Sequence, residues 1–200
     1  DILSASLFDN TIAWYENDGA ANPSWTAVDI STTAIDVVSV FAADMDNDGD
    51  MDIISSSVTS NAIDWYENDG AANPSWTLAD VSPNDDNAYS IFVEDMDGDG
   101  DMDIVSASNV NHKISWHEND GAANPSWAAS DIATNVDGAV SVFLADMDTD
   151  GDIDILSASK NDDKITWYKN DGAANPSWAA SDIATSADGA HSVFAADMDA

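Results

Sequence analysis

The sequence predicts an all-β fold, a β-propeller built from four-stranded blades of about 51 residues each. Three observations carry that expectation. A block of 51 residues repeats without insertion or deletion; each block holds four short strand-like segments separated by turn signals; and no helical stripe interrupts them.

The repeat comes first. Asp-Met-Asp begins at residues 44, 95, 146 and 197, a constant spacing of 51. The string WYENDGAANPSW at residues 14–25 returns at 65–76, as WHENDGAANPSW at 116–127 and as WYKNDGAANPSW at 167–178. Residues 1–200 therefore read as one repeat domain, with units at 1–43 (partial), 44–94, 95–145 and 146–196 and the start of another at 197–200. About four blades are present, as part of a larger propeller or repeat array. Asp1 is in register with Asp52, so both ends of the chain fall inside the same acidic loop; the expectation is a cut from a longer run of the unit.

Within a unit the strands follow in order. SVFAAD (39–44) is apolar and β-prone and leads into the acidic loop, which MDIISSS (51–57) leaves. AIDWYEN (62–68) alternates Ile63 and Trp65 with Asp64 and Tyr66, which suits a strand with one buried face. Asn-Asp-Gly and then Asn-Pro-Ser mark turns before WTLADVS (76–82) resumes a strand. The copies differ most in the loop around 82–88.

Composition narrows function. Acidic residues number 39 against four lysines (Lys113, Lys160, Lys164 and Lys169), a formal charge of -35 that repels phosphate backbones and anionic lipid. Nucleic acid is excluded as a partner and no apolar run is long enough to insert in a membrane. With 44% hydrophobic residues and eight Trp, the chain can bury a core. Cysteine is absent, so disulfides and thiolate metal sites are excluded.

The acidic loop has the pattern D-x-D-x-D-G-x-x-D. Alternate aspartates at positions 1, 3 and 5 converge on one point, and Gly49, Gly100 and Gly151 at position 6 allow a sharp turn. The position 7 carbonyl can point inward and position 9 supplies a closing carboxylate. Oxygen-only ligands in this number suit Ca²⁺ better than Mg²⁺, zinc or copper. The metal-site residues are thus Asp44, Asp46, Asp48, Asp50 and Asp52; Asp95, Asp97, Asp99, Asp101 and Asp103; and Asp146, Asp148, Asp150, Asp152 and Asp154, with Asp197, Asp199 and Asp1 as parts of incomplete copies. Position 4 varies (Asn47, Gly98, Thr149, Ala200), whereas positions 2 and 8 stay apolar (Met45 and Met51, Met96 and Met102, Met147 and Ile153), as side chains turned toward a core would. A solvated acidic turn is the plainer alternative, but its carboxylates would face one another with nothing to neutralise them. The EF-hand fits less well, because Ser55, Ser106 and Ser157 stand where its closing Glu belongs.

DMDGDGDMDIVSAS followed by ISWHENDG resembles the FG-GAP/VCBS repeat, the blade of integrin-type and many bacterial secreted β-propellers. The resemblance extends over every repeat. It implies Ca²⁺ held by the side chains of positions 1, 3, 5 and 9 with the carbonyl of position 7 (Asp50, Asp101 and Asp152), and a ring of about seven blades.

Other residues receive plainer readings. Trp14/Trp25, Trp65/Trp76, Trp116/Trp127 and Trp167/Trp178 are expected to pack between blades rather than to stack on sugars. His112, His117 and His191 occupy unrelated places and read as variable surface positions. No catalytic residue is expected, since near-interchangeable copies lack the asymmetric cluster an enzyme needs. The expected function is therefore a secreted, calcium-binding structural or adhesive repeat protein, a segment of a longer surface or fibre-forming molecule at the outside of a bacterial or other microbial cell. Its partners would be calcium, neighbouring copies or further repeats, and polysaccharide. The alternative is a lectin-like carbohydrate-binding propeller, with a polysaccharide-degrading domain ranked behind both.

Overall fold

The computed structural model describes residues 1–82 and 87–199. Part of the variable loop around 82–88, residues 83–86, and position 200 lie outside that range.

The described chain forms fifteen strands in four antiparallel meanders. The first sheet has three strands, β1 (Ile2–Ser6), β2 (Thr11–Asn17) and β3 (Trp25–Ser31). The second has four, β4 (Val37–Ala43), β5 (Asp52–Ser57), β6 (Ala62–Asn68) and β7 (Trp76–Ser82). The third is β8 (Ala88–Glu94), β9 (Asp103–Ser108), β10 (Lys113–Asn119) and β11 (Trp127–Ala133). The fourth is β12 (Ala139–Ala145), β13 (Asp154–Ser159), β14 (Lys164–Asn170) and β15 (Trp178–Ala184). These are four propeller-type blades in an open arrangement, and each acidic loop joins the first strand of a four-stranded sheet to the second. No helix is long and apolar enough to cross a membrane among the described residues.

Burial follows strand order. The second strands β5, β9 and β13 are buried at every residue: β5 and β9 lie between two neighbouring sheets, and β13 between the third sheet and the segment that follows β15. Their sequences, DIISSS, DIVSAS and DILSAS, accordingly run apolar and small without alternation. The last strands are the most open: β11 and β15 bury none of their residues fully. Register shifts recur at two places: in β2, β6, β10 and β14, between Ile12/Ala13, Ile63/Asp64, Ile114/Ser115 and Ile165/Thr166, and at the start of β4, β8 and β12, between Val37/Ser39, Ala88/Ser90 and Ala139/Ser141, where bulges add twist.

The sheets pack face to face through their first strands. Phe41, Phe92, Phe143 and Phe194 form a column with ring centroids 4.9, 5.1 and 4.7 Å apart. Beside it, the backbone N–H of Ile91 donates to Ser39 Oγ (3.4 Å), Val142 N–H to Ser90 Oγ (3.3 Å) and Val193 N–H to Ser141 Oγ (3.3 Å). Residues 190–196 thus lie on β12 as β8 lies on β4, although they pair with no strand.

Two expectations need correction. The apolar residues flanking the acidic loops are not uniformly buried: Met45 and Met96 are nearly sealed, whereas Met51 is 55% and Met147 37% exposed. Met45 belongs to the core between the second and third sheets, where Met102 packs from the other side, so each of these residues is covered by the adjacent sheet rather than by its own. His117 is not a surface residue either. It is buried in β10, with Nε2 3.3 Å from Ser106 Oγ, in the place where tyrosine stands in the other sheets.

A cleft of about 430 Å³ lies between the first two sheets, lined by Trp14, Met51, Pro74 and Trp76 among others. Between the second and third sheets Met45 and Met102 fill the equivalent space.

Candidate metal centre

Each acidic loop is organised by its own backbone. Gly49, Gly100 and Gly151 all have φ near +98°, a conformation in which a Cβ would be strained. That turn points successive N–H groups at the position 1 carboxylate: Asp44 accepts from Asp48 N–H (3.1 Å) and Gly49 N–H (3.0 Å), and Asp146 from Asp150 N–H (3.2 Å) and Gly151 N–H (3.0 Å). Asp95 accepts from Gly98 N–H (2.8 Å) and Gly100 N–H (3.0 Å). Position 4 varies in side chain yet is restricted in backbone, since Asn47, Gly98 and Thr149 all have positive φ (60°, 77° and 63°).

The first two loops gather the carboxylates of positions 1, 3 and 5. Asp44, Asp46 and Asp48, and likewise Asp95, Asp97 and Asp99, offer oxygens that all lie within 4.8 Å of one another. Burial, then the charges of their neighbours at position 5, push the carboxyls of Asp46 and Asp97 above the ordinary aspartate range. Such a group of hard oxygen donors, short of positive charge, fits a calcium ion. In the third loop the group is different: Asp146, Asp148 and Asp154 come together, and Asp150 at position 5 stands outside it.

The side chains at positions 7 and 9 also make contacts beyond the loop. Asp52 is buried, and its two carboxylate oxygens accept from Met45 N–H (3.1 Å) and Asn68 N–H (2.8 Å), fastening both ends of the loop to β6. Asp103 and Asp154 repeat the arrangement with Met96 and Asn119, and with Met147 and Asn170. Asp1 accepts from Asn17 N–H at 2.8 Å in the same way. Burial raises Asp52, and raises Asp103 to about 7. The side chains of Asp50, Asp101 and Asp152 lie over Gly70, Gly121 and Gly172, so close that a Cβ on any of these glycines would collide with them. Asp101 also accepts from Asn47 Nδ2 (2.6 Å), linking two successive loops. Asp197 accepts from Asp199 N–H (3.2 Å), and both aspartates are exposed.

Two sets of residues at the site were not singled out from the sequence. In the third and fourth sheets the asparagine of the W-x-E/K-N-D-G string is a latch between sheets. Asn119 Nδ2 donates to Met102 O (3.1 Å) in its own loop and Met45 O (2.9 Å) in the preceding one, and Asn170 Nδ2 to Ile153 O and Met96 O (both 3.0 Å). Asn68 donates to Met51 O (3.0 Å). The other is Lys169. Its ammonium pairs with Asp148 and, at 2.9 Å, with Asp150 of the third loop, where the other copies carry Glu16, Glu67 and Glu118. Its signal in the sequence is a single reversal of charge in a string that otherwise changes only at His117.

Comparison with known proteins agrees with this architecture. No curated protein sequence matches the chain. Among solved structures, a lectin of Agrocybe aegerita, described as recognising non-reducing terminal N-acetylglucosamine, superposes with a TM-score of 0.60 at 16% identity. The match covers 89% of this chain and 49% of the lectin, so the chain spans about half that protein's length and shares its fold. The model of the FG-GAP-like repeat family matches residues 1–55, 95–157 and 146–200. With its repeats matched over most of their length, the chain belongs to the FG-GAP-like repeat family.

Proposed function

We propose that the chain is a calcium-clamped structural or adhesive repeat of a secreted or cell-surface protein, and not an enzyme. The observation that carries this reading is the recurrence of three converging carboxylates at the same joint of successive sheets. Positions 1, 3 and 5 would hold the ion in the first two loops. A bound ion supplies the positive charge these clusters lack and ties the first strand of a blade to the second. In a chain without cysteine it takes the part of a disulfide. Millimolar extracellular calcium would fill even modest sites of this kind. A ligand at hundredfold excess over its Kd stabilises the folded state by about 2.7 kcal/mol per site. Thermal melts in calcium and in EDTA test the reading: a fall of roughly 10 °C on chelation is expected for two or more filled sites, and superimposable melts would remove it.

The partner this reading favours is a further unit of the same repeat. Successive sheets stack through the phenylalanine column, and the cleft between the first two sheets leaves apolar surface that such a unit would cover. Carbohydrate is the second reading, favoured by the indoles of Trp14 and Trp76 in that cleft. Glycan-array binding abolished by Trp76→Ala would support the sugar; concentration-dependent assembly without glycan binding would support the repeat.

A further inference from the structure

We infer that the third acidic loop carries its own counter-cation, so that Lys169 takes the place of a tightly held divalent ion and the calcium sites of this chain are unequal. The inference rests on the calcium reading of the first two loops and concerns which loops need the ion. The residue before the asparagine latch is Glu16, Glu67 and Glu118 in three copies and Lys169 in the fourth. In the third sheet Glu118 stands at this position of β10, one residue before Asn119, and adds a negative charge at the same point of the sheet. In the fourth sheet an ammonium group occupies the corresponding place, within ion-pair distance of two carboxylates of the loop.

The consequences are visible in the loop itself. Asp150, the counterpart of Asp48 and Asp99, pairs with Lys169 and leaves the group of three mutually close carboxylates, which Asp154 completes instead. Asp154 also accepts from Met147 N–H and Asn170 N–H, as Asp52 and Asp103 do in their loops, so what sets the third loop apart is the pairing of Asp150 with Lys169. The loop nevertheless keeps its turn: Asp146 still accepts from Asp150 and Gly151, and Asp150 still accepts from Asp152 N–H at 3.1 Å. A tethered ammonium therefore satisfies the charge of the cluster without dismantling it. A calcium ion entering there would have to displace Lys169 from Asp148 and Asp150, and would meet one more positive charge than in the other two loops. Since the affinity of such loops is set by ligand charge and rigidity, the third site should bind at least about tenfold more weakly than its neighbours.

Isothermal titration of the whole chain with CaCl₂ tests this. Two tighter sites and one weaker site are expected for the parent, and three of the tighter class for Lys169→Glu. Glu118→Lys, which builds the same ion pair in the second loop, should leave one tight site; this reciprocal variant carries the test if the first folds poorly. A melt in EDTA supplies a readout independent of binding, because Lys169→Met should lower Tm in the absence of calcium while Glu67→Gln should not. Three equivalent sites in the parent, or a titration that Lys169→Glu leaves unchanged, would overturn the inference and leave the calcium reading standing. Absence of binding in every variant would overturn both.

Discussion

The second and fourth sheets share one backbone plan and handle negative charge in opposite ways. Residues 37–82 contain no lysine, whereas residues 139–184 contain Lys160, Lys164 and Lys169. In the second sheet Asp64 faces Asp80 across β6 and β7, and burial followed by the charge of Asp80 pushes the Asp64 carboxyl up to about 6. In the fourth, Thr166 faces Asp182, and Lys164 Nζ stands 3.0 Å from Asp182 Oδ2. The difference is repeated at the acidic loops, where Asp46 is raised by its surroundings while Asp150 is lowered by Lys169. One blade gathers its carboxylates without a lysine and the other supplies three. The lesson is that a near-exact repeat can vary its ionic requirements by single substitutions, without altering strands or register.

The largest expected effect separates the two loops directly. In EDTA, hydrogen exchange should accelerate most in residues 44–57 and least in 146–159, because only the second segment retains a charge partner. Local protection reports opening free energies site by site, so a difference of about tenfold or more in the slowest amides is the expected reading. Equal loss in both segments would erase the contrast drawn between them.

Next come the latches. Asn170→Ala removes a side chain that is almost fully buried and bridges the third and fourth sheets, leaving the carbonyls of Met96 and Ile153 without that donor. Orphaning buried polar groups costs about 1–3 kcal/mol. Asn68→Ala removes a bond to Met51 O within its own sheet, and should cost nearer 1 kcal/mol. Denaturant midpoints of the two variants measure the gap. If the costs are equal, the inter-sheet bond contributes nothing beyond the local one.

A smaller effect, with a definite sign, belongs to Asp64. Its pKa is higher in the folded state than in the unfolded one, so the folded state binds more protons between about pH 4 and pH 6. The contribution of this group is thus fully present below pH 4 and is lost as pH rises through 6. Replacing it with the residue of the fourth sheet, Asp64→Thr, should raise Tm at pH 7 and lose that advantage below pH 4. A variant whose benefit is the same at both pH values would show that charge is not the cause.

Much of this plan is legible along the chain. The strands at Ala62–Asn68 and Trp76–Ser82 coincide with the segments expected from alternation and flanking turns. The first strand begins earlier than expected, at Val37, because Asp36 takes a left-handed φ of 54° and ends the preceding turn there; nothing in local composition announces that. The grouping of Asp44, Asp46 and Asp48 is the one that alternate spacing leads one to expect, whereas the same spacing in the third loop leaves Asp150 outside. What spacing does not reveal is the use of Asp52 as an acceptor for Asn68, 16 residues on, or the approach of Lys169 to Asp148 from 21 residues away. The exposure of Met51 was equally hidden, since its covering surface belongs to a different sheet. Local pattern specifies the blade, while contacts between strands and between blades decide what each carboxylate does.

The smallest expected effect lies in the third loop and isolates backbone from charge. Thr149 holds φ at +63°, in the left-handed region that β-branched residues adopt at a cost, whereas Asn47 and Gly98 occupy the same turn comfortably. Its hydroxyl donates to Asp148 O at 2.7 Å, a local bond that offsets part of the strain. Thr149→Asn should therefore stabilise the protein by about 0.5–1 kcal/mol, the scale of relieving one unsuitable backbone position. That gain should be the same in calcium and in EDTA, because the substitution leaves Lys169 and the carboxylates in place. A gain that appeared in calcium alone would mean that the turn at Thr149, and not Lys169, is what distinguishes this loop from the other two.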